Sequence, residues 1–107
     1  MNNEGKVKHT LNSTGIPLGF IAEEKFLRSE PIALKPGDIL ALLTDGITEA
    51  IANDESEFGY HRTIDLINSY RMDTAKQITA HLTQAVCLFT ELQHQEDDIT
   101  SVICKVN

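Results

Sequence analysis

Two acidic sites stand at the ends of apolar runs, and they are the residues with chemistry to offer. Asp45-Gly46 closes the run Ile39-Leu40-Ala41-Leu42-Leu43, and Asp97-Asp98 directly precedes the apolar stretch of residues 99–106. A carboxylate carried to a strand end by hydrophobic scaffolding needs water or a counter-charge, and a metal ion is a strong partner for it. If the two strands are neighbours, they lie roughly 5 Å apart, close enough for the carboxylates to share one cation or bracket two. All-oxygen ligation by Asp suits Mg²⁺ or Mn²⁺, whereas Zn²⁺ sites recruit His or Cys. On the residues alone two readings of Asp45 stand, a solvated turn aspartate and a ligand. The four histidines, His9, His61, His81 and His94, show no ligand spacing and read as surface residues. Cys87 and Cys104 lack a CxxC or Cys/His pattern and read as buried or partly buried thiols in a reducing cytoplasm.

The elements that must position these groups follow from turn chemistry and periodicity. Lys35-Pro36-Gly37-Asp38 reads as a type II turn, with Pro36 pre-setting a negative φ and Gly37 accepting a positive one. The run Ile39–Leu43 is too short for a helix and reads as a strand buried on both faces. Residues 25–34 alternate weakly and suggest a strand hairpinned onto it through that turn. Pro31 makes it an edge or an interrupted strand. Residues 47–52 predict a short helix, 53–57 an acidic exposed loop, and 60–69 a helix with Ile64 and Ile67 on one face. Asp73 is expected to cap a long helix from Thr74 to about Gln93. Its stripe of Ala75, Ile78, Leu82, Ala85, Val86, Phe89 and Leu92 reads as core. A terminal strand follows over 99–106, with Thr100, Val102, Cys104 and Val106 on one face and Ile99 and Ile103 on the other.

Composition sets the outer bounds. A chain of 107 residues with 41% hydrophobic residues is one domain at most. Its net charge of −7 and the lack of a basic stripe argue against nucleic acid as a partner. No apolar stretch approaches membrane-spanning length and nothing resembles a signal peptide, so a cytoplasmic protein without membrane insertion is expected.

Four sequence pieces in register resemble a known family. They are Ile16-Pro17-Leu18-Gly19, the stretch from Leu34-Lys35-Pro36-Gly37-Asp38 through Thr44-Asp45-Gly46-Ile47-Thr48-Glu49-Ala50, Glu57-Phe58-Gly59, and Asp97-Asp98-Ile99-Thr100-Ser101-Val102. Together they look like the C-terminal half of the PPM-type metal-dependent serine/threonine protein phosphatases, in the bacterial branch typified by stage II sporulation protein E and RsbU. The resemblance implies an α+β fold, part of an α-β-β-α sandwich of antiparallel sheets with packing helices. It implies that Asp45 and Asp97 are metal ligands, with Asp98 adding to the site directly or through water. Gly46 would allow close backbone approach. Glu49 lies near the site or is a surface helix residue. Two Mn²⁺ or Mg²⁺ ions are implied in the complete domain, where they activate water for attack on a phosphate ester.

The departures from the family shape the expectation for this chain. The family places further metal-binding aspartates in an N-terminal half, and nothing before Gly15 resembles that half. Residues 1–14 therefore read as a frayed amino terminus with an edge strand at 6–11, and 15–107 as the C-terminal part of the phosphatase domain. The expected function is hydrolysis of phosphoserine or phosphothreonine on a protein substrate, such as an anti-sigma-factor antagonist in bacterial signalling. The alternative is a non-catalytic, phosphatase-like module that binds and regulates a protein partner. Alone, the chain is expected to turn over poorly, bind metal weakly and self-associate through uncovered strand faces.

Overall fold

The turn before the first strand forms as its residue types require. In the computed structural model, which describes residues 1–11, 30–52, 54–90 and 99–107, the Asp38 amide donates to Lys35 O at 2.9 Å and Gly37 has φ of 88°. A side chain at Gly37 would be strained by that φ, and its Cβ would also stand 2.8 Å from Asn3 Cβ. The Asp38 carboxylate folds back on the same turn. It accepts from Lys35 N at 2.9 Å and from Lys8 Nζ at 2.8 Å. Asp38 is 3% exposed, so this pairing is what makes its burial tolerable. The Lys8 ammonium and the Lys35 amide hold its carboxyl below the ordinary 3.8.

Strand β1 (Ile39–Leu43) follows and pairs antiparallel with β2 (Ser101–Lys105), Ile39 opposite Lys105 and Leu43 opposite Ser101. Between them run α1 (Asp45–Thr48), α2 (Gly59–Ser69) and α3 (Ala75–Phe89). Period-two alternation sends Ile39, Ala41 and Leu43 of β1 and Ile103 of β2 toward the helices. There they meet two clusters, Ile67 with Ile78, and Ile47 with Phe58, Leu82 and Val86. The other face carries Leu42 and Val102, 52% and 47% exposed, and the exposed Cys104. This corrects two expectations. Among the described residues the sheet is covered on one face, because all the described helices that pack on it lie on that side. Cys104, read as at least partly buried, lies on the outward face.

The long helix has a different cap from the one the sequence suggested. Thr74, not Asp73, occupies the N-cap: Gln77 N donates to Thr74 Oγ1 at 3.2 Å and Thr74 N donates to Gln77 Oε1 at 2.9 Å. This reciprocal box satisfies two otherwise orphaned donors, which Asp73 one residue earlier cannot do. Asp73 instead offers its carbonyl to Lys105 Nζ at 2.8 Å, tying the helix entry to β2. Ile78, Leu82 and Val86 are buried as the stripe predicts, and the helix ends at Phe89. Leu92 and His94 lie outside the described residues.

Other local expectations shift as well. The short helix expected over residues 47–52 begins two residues earlier, on Asp45, and ends at Thr48. Ile51 is then bridged antiparallel to Glu57, and Phe58 N donates to Ala50 O at 2.7 Å. Loop closure across the acidic turn thus overrides the helix propensity of residues 50–52. Residues 1–5, expected to fray, are tied to the sheet: the Met1 ammonium donates to Ile39 O at 2.8 Å and Ile39 N donates to Met1 O at 2.7 Å. Residues 6–11 and 30–34 carry no strand. No described helix is long and apolar enough to cross a membrane.

Candidate functional site

Asp45 is the first residue of α1, delivered there by the end of β1. The side chain two positions on, Ile47, is 1% exposed and packs with Phe58, Leu82 and Val86. That anchor fixes the turn while Asp45 itself stays exposed. Gly46, between them, is buried. Glu49 caps the C-terminal end of α1 and is exposed, one turn after Asp45.

The carboxylate of Asp45 makes no hydrogen bond or ion pair with another described residue. It is an exposed hard oxygen donor on a fixed backbone, the donor type that Mg²⁺ and Mn²⁺ take. Its donor type is one that such an ion accepts. Among the described residues no three His, Cys, Asp or Glu side chains cluster into a ligand set around it. Asp97 and Asp98 lie outside the described residues. A groove of about 730 Å³ adjoins the site, with Leu40, Leu42, Thr44, Asp45, Thr48 and Tyr60 among the residues that line it.

The relation between β1 and β2 bears directly on Asp45. Thr44 N donates to Thr100 O at 3.0 Å, and Thr100 N donates to Thr44 Oγ1 at 3.0 Å. The residue before Asp45 is thus fastened to the residue before β2. Residue type and position alone assign Thr44 no role of its own. Its signal was a hydroxyl residue at a point where a strand pattern meets a helix start.

A family model described as stage II sporulation protein E (SpoIIE) matches residues 1–107. The chain belongs to this family. SpoIIE membership brings the PPM-type phosphatase fold and a place in a phosphatase-type enzyme family. The mixed α+β architecture with an antiparallel sheet agrees with that fold. Protein IcfG of Synechocystis sp. is 28% identical over 102 residues, covering 95% of this chain and 16% of that protein. This SpoIIE-family chain therefore spans about a sixth of the length of that curated relative. No solved structure matches it.

Three further contacts shape the SpoIIE-family chain near the acidic loop. Arg62 Nη1 donates to Glu57 O at 2.7 Å, and its guanidinium lies 4.6 Å from the centroid of the Phe89 ring. Phe89 meets Phe58 edge-on at 5.4 Å. Both rings pack in the cluster that holds Ile47 of α1. His81 stacks on Tyr70 at 3.8 Å, while His9 and His61 are exposed.

Proposed function

We propose that this chain supplies part of the metal site of a phosphoprotein phosphatase. Asp45, Asp97 and Asp98 act as ligands to Mn²⁺ or Mg²⁺, with two ions in the complete domain. The substrate is phosphoserine or phosphothreonine on a protein, an anti-sigma-factor antagonist in a bacterial switch being the class that fits. When bound, the ions activate water as the nucleophile and neutralise charge on the phosphate oxygens. The chain's own part is to hold Asp45 exposed, with no partner among the described residues, on a backbone anchored by Ile47.

The observation that carries this reading is the pairing of Thr44 with Thr100. It sets the Asp45 turn beside the residue that Asp97 and Asp98 precede by three and two positions. The test is Asp45→Asn in the protein that carries this chain, assayed by phosphopeptide hydrolysis with Mn²⁺. Turnover should fall by orders of magnitude with the thermal unfolding transition unchanged, because an amide is a weaker ligand than a carboxylate. Near-normal turnover would remove Asp45 from the site. Loss of nothing but partner binding would favour the non-catalytic module instead.

A further inference from the structure

Thr44 occupies a position where two backbone patterns compete for one carbonyl. As the residue opposite Thr100 in an antiparallel pair, it would exchange both N–H···O bonds with that residue. One of these is made, from Thr44 N to Thr100 O at 3.0 Å. The other is not, because the Thr44 carbonyl accepts from Ile47 N at 3.1 Å as the first turn of α1 closes. The Thr100 amide is left without its usual acceptor. The Thr44 hydroxyl takes that place, accepting from Thr100 N at 3.0 Å and donating to Thr100 O at 3.3 Å.

The hydroxyl is therefore diverted from the usual work of an N-cap threonine. It makes no capping bond to the amides of α1, although such a bond is the common reason for Thr at this position. The exchange of roles lets the chain turn from strand to helix at Asp45 without opening the end of the sheet. A hydroxyl on a β-branched residue suits the task, since its χ1 is restricted and the oxygen is held in place.

We infer that Thr44 is a positioning residue for the metal site: its hydroxyl latches the Asp45 turn to Thr100 and so sets where Asp45 stands relative to the start of β2. This rests on the reading of Asp45 as a ligand. Bonds to Mg²⁺ are about 2.0–2.1 Å with little tolerance in angle, so a small slip at the sheet end is felt by the ion. Thr44 and Thr100 are both exposed, and water can replace the lost bonds with little effect on global stability. The cost of losing the latch therefore falls on geometry.

The experiment uses the 107-residue chain, labelled with ¹⁵N, in three variants. Thr44→Val keeps the branched shape and removes the hydroxyl, Thr44→Ser keeps the hydroxyl, and Asp45→Asn removes the ligand. Amide exchange at Thr100 reads the latch, and Mn²⁺-induced broadening of the Asp45 and Thr100 amide signals reads the metal. Thr44→Val should speed exchange at Thr100 and weaken the Mn²⁺ midpoint by about tenfold or more, the range for groups that orient ligands. Its urea midpoint should stay close to wild type, and Thr44→Ser should restore both signals. Unchanged exchange at Thr100 in Thr44→Val overturns the latch. Faster exchange with an unchanged Mn²⁺ midpoint, or a failure of Thr44→Ser to restore it, overturns the positioning role. An Mn²⁺ midpoint that is unmoved by Asp45→Asn, or a wild-type chain that shows no broadening, overturns the metal reading and leaves the latch to be decided by exchange alone.

Discussion

Truncating Leu82 tests how the core holds the site. Leu82 is 0% exposed and shares a cluster with Ile47 of α1, Phe58 of the following loop and Val86 of its own helix, with Leu43 of β1 packed against them. Leu82→Ala removes three carbons, worth roughly 2.4 kcal/mol at about 0.8 kcal/mol per buried methylene. A cavity adds to that, and buried Leu→Ala changes cost about 2.7–5.0 kcal/mol in all. The neighbours of Leu82 come from separate elements with separate anchors, so they cannot all move in to fill the space. We therefore expect about 3–4 kcal/mol. A domain of this size has on the order of 5–15 kcal/mol to lose. With a urea slope of about 1.5 kcal/mol/M, the midpoint should drop by about 2 M. Circular dichroism during urea unfolding reads this directly. Leu88→Ala, at a position of the same helix that is 64% exposed, should change stability by no more than about 0.5 kcal/mol and serves as the control. A midpoint for Leu82→Ala that matches the control, at unchanged slope, would refute the placement of Leu82 at the centre of the core.

Thr74→Ala breaks the reciprocal box with Gln77 and should cost about 1 kcal/mol in the same urea assay; Asp73→Ala, at the residue the sequence favoured as cap, should not reproduce that loss through capping. Asp38 predicts an acid-sensitive contribution. Its folded carboxyl titrates below the ordinary 3.8, chiefly through Lys8, so its stabilisation is complete above that value and is lost as pH falls through the depressed one. Urea midpoints measured downward from about pH 5 should fall less steeply in Asp38→Asn than in wild type. The chain is also expected to be a dimer or larger at micromolar concentration, since Leu42 and Val102 present apolar surface side by side on the outward face. A monomer by light scattering would refute that expectation.

Much of the scaffold is legible in residue order because it depends on local rules. Pro36-Gly37 dictates the turn, the apolar run dictates β1, and the three- and four-residue spacing of Ile78, Leu82 and Val86 dictates the buried face of α3. The family follows from motifs in register for the same reason, since each motif is a contiguous set of residues. Side-chain partnerships between distant segments are not legible in this way. Lys8 and Asp38 are 30 positions apart, and no periodicity links them; they meet because residues 1–11 run beside the turn that buries the carboxylate. The cap at Thr74 rather than Asp73 depended on which residue had Gln77 at its third helical position, a one-residue difference in where the backbone turns.

The site divides along the same line. Residue types alone mark Asp45 as a carboxylate at a strand end beside a glycine, and that is a local property. Its exposure and its lack of a described partner depend on Ile47 being drawn into a core assembled from α1, α3 and the Phe58 loop. Among the described residues, the coverage of one sheet face rather than both follows from where α2 and α3 pack, which strand hydrophobicity does not encode. Thr44 shows the division within a single residue. Its identity reads as an ordinary cap or strand residue, but its hydroxyl serves Thr100, 56 positions away, because chain topology brings β2 alongside at the one point where the Thr44 carbonyl has turned toward the helix.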